Sequence, residues 1–207
     1  MRRIDWYFDF ISPFAYFALP QLASLPADVE VQYRPVLLAG LLKHWDNKGP
    51  AEIAPKRLWT YRSCTWWAQR HGLPFQFPAA HPFNPLAYLR LAIAAGSTPD
   101  AIQTIFNALW TTGADASDPA LPAALAAQLG LAPTAIDSPE VKNTLRTNTE
   151  AAAAAGVFGV PSLVIDGEVF WGADGMDFAR DFLADPTLLQ SPAMRRLAEL
   201  PEGVRRG

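Results

Sequence analysis

An apolar strand that runs straight into a Ser-Pro helix start constrains this chain more than any other feature. Residues 4–16 read Ile-Asp-Trp-Tyr-Phe-Asp-Phe-Ile-Ser-Pro-Phe-Ala-Tyr. Positions 4–10 carry the aromatic and β-branched residues that pleated strands favour. Ser12 suits an N-cap and Pro13 the first helical position, and the helical pattern continues through Phe17 and Leu22 to about Leu25. Val29 to Arg34 alternates as a second strand. A strand–helix–strand opening predicts two parallel strands joined by a right-handed crossover.

From about Leu37 to Ile136 the strand signals vanish. Segments near 55–71, 85–95, 99–112 and 119–129 read as helices, each bounded by Pro, Gly or Asn-Pro punctuation. Asn84-Pro85 and Ser138-Pro139 both have the form of an N-cap followed by a first-turn proline. An alanine-rich helix then runs from Pro139 to Ala155 and ends at Gly156. Ser162–Ile165 and Glu168–Trp171 read as paired strands around an Asp166-Gly167 hairpin turn. A helix over about Gly175–Leu183 follows, and Ser191-Pro192 opens a short one to about Leu200, with a fraying polar end at 205–207. The order β-α-β, helical block, α-β-β-α is the thioredoxin arrangement with an inserted all-helical domain, an α/β fold. It divides the chain into a discontinuous thioredoxin-like domain, 1–36 with 137–207, and a helical insertion, 37–136. A chain of 207 residues accommodates one such unit.

Composition narrows the function. The formal net charge is −3, so no basic surplus favours a phosphate backbone and nucleic acid is not an expected partner. Arg2 and Arg3 precede an apolar run, but Asp5 and Asp9 interrupt it, which argues against a signal peptide. No apolar stretch approaches the roughly 18 residues of a membrane span. Cys64 is the only cysteine, which rules out an intramolecular disulfide and a cysteine metal cluster. No metal is expected, and the expected location is the cytoplasm. Cys64 itself reads as a buried small hydrophobe, and Trp6, Trp45, Trp66, Trp67 and Trp110 as core, with some free to line an aromatic pocket.

Three segments carry candidate chemistry. Ser12 lies at the carboxyl end of the first strand, where open α/β sheets bind ligands. It is either a plain helix cap or a hydroxyl that donates to an anion held at the helix start. No Gly-x-Ser-x-Gly motif or neighbouring His activates it as a nucleophile. The reading is therefore that Ser12 holds the sulfur of a bound thiol as its thiolate. Val160-Pro161 either opens a strand or forms a cis bond. In the second case it leaves the Val160 N–H and C=O to pair with a bound peptide in the manner of strand addition. Asp174, in Phe-Trp-Gly-Ala-Asp, is either an N-cap or a receptor for the charged end of a peptide ligand.

Asp-Phe-Ile-Ser-Pro-Phe-Ala-Tyr, Val-Phe-Gly-Val-Pro-Ser and Phe-Trp-Gly-Ala-Asp resemble the motifs of the 2-hydroxychromene-2-carboxylate isomerases. These enzymes are grouped with the kappa-class glutathione transferases and with disulfide oxidoreductases that carry a helical insertion. Gly-Leu-Pro-Phe-Gln-Phe-Pro at 72–78 and His-Pro-Phe-Asn-Pro at 81–85 extend the resemblance over nearly the whole chain. It implies glutathione as cofactor, Ser12 as the catalytic serine, and glutathione contacts from Val160, Pro161, Trp171, Gly172, Ala173 and Asp174. It implies a small aromatic substrate held by Lys43, His81 and Asn84, with Leu42 competing for the position of Lys43. His81 either donates to the substrate or only caps a turn. Gly175 departs from the family pattern, which often has Arg or Ser there. The implied protein is a homodimer that interconverts 2-hydroxychromene-2-carboxylate and trans-o-hydroxybenzylidenepyruvate. A kappa-type transferase is the nearest rival. A disulfide oxidoreductase would need a nucleophilic thiolate that Ser12-Pro13-Phe14-Ala15 does not offer. A peptide-binding module without turnover is the third.

Overall fold

The computed structural model describes residues 1–201 and 203; the polar end at 205–207 lies outside the described residues. The first strand, β1 (Arg2–Phe8), pairs in parallel with β2 (Val29–Pro35), with Arg2 opposite Val29 and Phe8 opposite Pro35. On its other edge β1 pairs antiparallel with β3 (Ser162–Ile165), which pairs antiparallel with β4 (Glu168–Trp171). The sheet order is β2-β1-β3-β4. Asp166 and Gly167 both take positive φ, 51° and 89°, as the two-residue turn between β3 and β4 requires.

The helices are α1 (Pro13–Ala18), α2 (Leu38–His44), α3 (Ala54–Arg70), α4 (Leu86–Ala94), α5 (Pro99–Trp110) and α6 (Ala120–Gln128). After them come α7 (Pro139–Ala154), α8 (Met176–Ala184) and α9 (Pro192–Ala198). This is the thioredoxin-like fold with a helical insertion, and no strand interrupts the described chain between β2 and β3. Three elements differ from the sequence reading. β1 starts at Arg2 and ends at Phe8, because Asp9 turns its carboxylate to the backbone of the following loop. The first helix stops at Ala18 and tightens into a 3-10 turn over Leu19–Ser24, where Pro20 has no N–H to continue the α ladder. And α2 forms where no helix was expected.

The core follows the pleat of β1. Ile4, Trp6 and Phe8 face a large cluster that takes in Phe106 and Trp110 of α5 and Tyr88, Leu89 and Leu91 of α4. Tyr7 faces the opposite side, with Val36, Leu41, Ala152, Val157 and Val160. Alternation on a strand with both faces covered is the period-2 rule at work. Cys64 is buried, as expected, and burial pushes its thiol up to about 12. Trp6 and Trp110 are fully buried, whereas Trp45 and Trp66 lie largely on the surface. α3 buries only Cys64 and Ala68, so its remaining face leaves Trp66 outside. No described helix is long and apolar enough to cross a membrane.

Candidate active site

Ser12 and Val160, 148 residues apart in the chain, meet beyond the carboxyl end of β1. Ser12 caps α1 by accepting from the Ala15 N–H at 3.3 Å, and its Oγ–H donates to the Val160 carbonyl at 3.3 Å. Both contacts are near the long limit for such bonds, and a hydroxyl proton rotates to suit its acceptor. The Val160–Pro161 peptide is cis, as is His81–Pro82. The Val160 N–H finds no protein acceptor among the described residues. Ser12 is only 6% exposed, yet it stands on the wall of a cavity of about 460 Å³. α1 is six residues long, so Pro20 cuts short the helix field expected at Ser12. Pro13 has no N–H and the Ala15 and Tyr16 N–H groups bond Ser12, so the Ser12 hydroxyl and the Phe14 N–H are what remain to receive an anion.

The other remote segment closes the cavity. Trp171, 55% exposed, lies over Gly159, where a Cβ would come within 2.7 Å of its indole nitrogen. The Gly172 N–H donates to the Pro161 carbonyl at 2.9 Å and ties the hairpin end to the cis-proline loop. Gly172 takes φ +91°, which glycine adopts at no steric cost. Asp174 is exposed, caps no helix, and its carboxylate has no protein partner among the described residues. It faces a hollow of about 640 Å³ that shares Phe14, Lys56, Val160 and Trp171 with the Ser12 cavity. Gly175 fits for a steric reason. A Cβ there would stand 2.5 Å from the Trp171 carbonyl oxygen and 3.1 Å from its carbon, so the backbone would have to move. Gly175→Ser is expected to cost about 1–3 kcal/mol, the usual range for overpacking, read as a lower urea midpoint. An unchanged midpoint would mean that this turn yields freely.

His81 reaches the site, but not with a free nitrogen. Its Nε2 is 2.8 Å from the Ile11 carbonyl and its Nδ1 2.8 Å from Tyr61 Oη, which also lies 2.6 Å from the His81 carbonyl. Burial lowers its pKa, against the raising effect of the Ile11 carbonyl. His81 therefore has no vacant donor for a substrate. Lys43 is exposed on α2 and does not line the cavity, whereas Leu42 does. The cations that line the cavity are Lys48 and Lys56, which the sequence reading passed over. Asn84 is exposed and accepts from the Leu86 N–H at 3.1 Å, starting α4 from outside the cavity. Its side chain serves the first N–H of a helix and does not line the cavity.

Asp9, which the sequence reading did not single out, holds the backbone that leads into Ser12. It is fully buried below the Ser12 loop, and burial pushes its carboxyl up to about 7, against two backbone N–H bonds that lower it. The available signal was an aspartate three residues before Ser12 in an otherwise apolar run.

The profile of the DSBA-like thioredoxin domain matches residues 3–184. A 2-hydroxychromene-2-carboxylate isomerase from Sphingobium xenophagum is 31% identical over 194 residues, covering 89% of this chain and 99% of the relative. The chain belongs to the DSBA-like thioredoxin-domain family, alongside the 2-hydroxychromene-2-carboxylate isomerases. Within that family a solved 2-hydroxychromene-2-carboxylate isomerase structure superposes with a TM-score of 0.72 at 26% identity, covering 97% of this chain and all of that one. A glutathione S-transferase kappa 2 from Caenorhabditis elegans is 26% identical and covers 89% of this chain and 93% of the relative. The names of the isomerase relatives support an isomerase.

Proposed function

We propose that the protein is a glutathione-dependent isomerase that interconverts 2-hydroxychromene-2-carboxylate and trans-o-hydroxybenzylidenepyruvate. One observation carries the reading. Ser12 Oγ meets the Val160 carbonyl beside cis-Pro161 on the wall of a cavity, in a chain whose single thiol is buried elsewhere and held protonated. Any sulfur chemistry at this site needs a thiol brought in by a ligand. The kappa-class names among the relatives support glutathione as that ligand.

The residues present fit such a peptide. Val160 offers an unpaired N–H and a carbonyl for strand-like pairing. Asp174 offers an unpaired carboxylate for the ammonium of a γ-glutamyl end, and Lys48 and Lys56 offer cations for carboxylates. Bound glutathione would supply a thiolate that, once the hemiketal C–O bond has opened, adds reversibly to a conjugated carbon, leaving a single bond free to rotate before the thiolate departs and the double bond re-forms, with no net redox change. Ser12 rotates its proton from Val160 toward the sulfur and favours the ionised form. Lys56, which borders both hollows, is the better of the two lysines to hold the substrate carboxylate in place of Lys43. Trp171, Phe158 and Phe14 give the aromatic acid apolar walls and keep water away.

The test is to mix purified protein with the chromene acid, with and without glutathione, and follow the absorbance change. Turnover is expected only with glutathione. Ser12→Ala should lower it at least roughly tenfold, about 1.4 kcal/mol in the barrier, while glutathione still binds. Unchanged turnover in that variant would remove Ser12 from the mechanism. Stable conjugation of a chlorinated aromatic electrophile, without isomerisation, would favour a kappa-type transferase.

A further inference from the structure

The residue immediately before Ser12 is gripped from both sides. The Ile11 N–H donates to Asp9 Oδ1 at 3.0 Å, and the Ile11 carbonyl lies 2.8 Å from His81 Nε2. A carbonyl only accepts, so Nε2 carries the proton, and Nδ1 of the neutral ring shares the single Tyr61 O–H with the His81 carbonyl. The other Asp9 oxygen accepts from the Leu38 N–H at 2.8 Å, and the Asp9 carbonyl accepts from the Ser12 N–H at 3.1 Å. A continuous line of hydrogen bonds thus runs from the start of α2 through Asp9, Ile11 and His81 to Tyr61 on α3, directly beneath Ser12. Asp9 is fully buried, and His81 has both ring nitrogens committed.

We propose that Asp9 and His81 are positioning residues: together they fix the two peptide groups of Ile11 and so aim Ser12 Oγ at the sulfur of the bound thiol. The inference rests on the glutathione reading and adds to it two residues that do not touch the ligand. Asp9 acts through the Ile11 and Ser12 amides and His81 through the Ile11 carbonyl. Two anchors on opposite sides resist rotation of this segment in a way that one would not. They also join α2 and α3, the helices that bring Leu42 and Lys56 to the cavity, to the loop that carries Ser12.

The readout is the ultraviolet thiolate absorbance of glutathione bound to the full-length protein at neutral pH. Variants are His81→Leu, which removes the donor to Ile11, and His81→Gln, whose amide nitrogen can stand in for Nε2. Asp9→Asn is the third; it keeps the shape but sets an N–H against one of the two backbone donors. His81→Leu and Asp9→Asn are expected to lower the thiolate-to-thiol ratio of bound glutathione by up to about tenfold, about one pKa unit, approaching the effect of Ser12→Ala. Near-ultraviolet circular dichroism is expected to stay native, and His81→Gln to recover most of the signal. A merely structural role would lower stability without changing the ionisation of the ligand that remains bound. Folded His81→Leu protein with a wild-type thiolate signal overturns the inference and leaves the glutathione reading standing. A loss that His81→Gln does not reverse overturns the hydrogen-bond account of it. Absence of any thiolate signal in the wild type overturns the glutathione reading, and the inference with it. Should Asp9→Asn fail to fold, the histidine pair decides the matter.

Discussion

Trp110→Ala is expected to destabilise the protein by about 3–5 kcal/mol, the range for emptying a large aromatic from a core, and to lower the melting temperature by roughly 6–20 °C for a chain of this size. Trp110 closes α5 and is fully buried. Its ring stacks on Phe75 at 5.7 Å and 6° and lies edge-on to Phe77 and His81. Its indole N–H donates to the Phe10 carbonyl at 2.9 Å. Removal therefore does two things: it opens a cavity where the helical block meets the sheet, and it leaves a buried carbonyl without its donor, two residues before Ser12. Trp110→Phe separates the two effects. It restores most of the packing and forfeits only the hydrogen bond, so its loss should be smaller, near the 1–3 kcal/mol of an unsatisfied buried group. Urea unfolding of both variants measures this. A loss below about 1 kcal/mol in Trp110→Ala would mean that the neighbouring rings collapse into the space and that the seam is not held here.

The elements whose signals are local were legible in the sequence. Ser138-Pro139, Asp166-Gly167 and the alternation of β2 are each written in two to seven consecutive residues, and each stands where expected. α2 was not legible because its start is capped from a distance. Leu37, at its N-cap position, has no capping side chain. The Leu38 N–H goes to Asp9, 29 residues earlier, and the Leu37 N–H to Thr149, 112 residues later. The site divides in the same way. Ser12 and Val160 could be paired from the order of elements. That Lys48 and Lys56 line the cavity and Lys43 does not could not be foreseen, because it depends on which side of α2 and α3 faces the cavity and on the path of the loop between them. Asn84 carried a helix-start signal and a family signal at once, and the helix start is what the structure realises. His81 reached the site by a route that no spacing rule foresees, through a carbonyl 70 residues away.

Asp9 makes folding stability depend on pH with an unusual sign. An ordinary carboxyl near 3.8 is pushed up to about 7 by burial, which outweighs the two N–H bonds that favour its charged form. Between about 4 and about 7 the folded chain therefore holds a proton at Asp9 that the unfolded chain has released. Stability from this group is fully present below about 4 and is lost as pH rises through about 7. A shift of about three units corresponds to about 4 kcal/mol. His81 acts the other way. Its pKa is lowered by burial, so the unfolded chain takes up a proton near 6.5 before the folded one does, and acidification below that value costs stability. Other ionisable groups add slopes of their own. The informative quantity is thus the difference between the wild type and Asp9→Asn, in which those contributions cancel. That difference is expected to shift by about 2–3 kcal/mol in favour of the variant between pH about 5 and pH about 8, measured by urea unfolding across the range. Parallel profiles would show that Asp9 titrates near its ordinary value in the folded chain. The same comparison bears on the site. Two N–H donors converge on Asp9, an arrangement that suits the carboxylate, so the ionised form that holds Ile11 and Leu38 most firmly is also the one that costs the fold most.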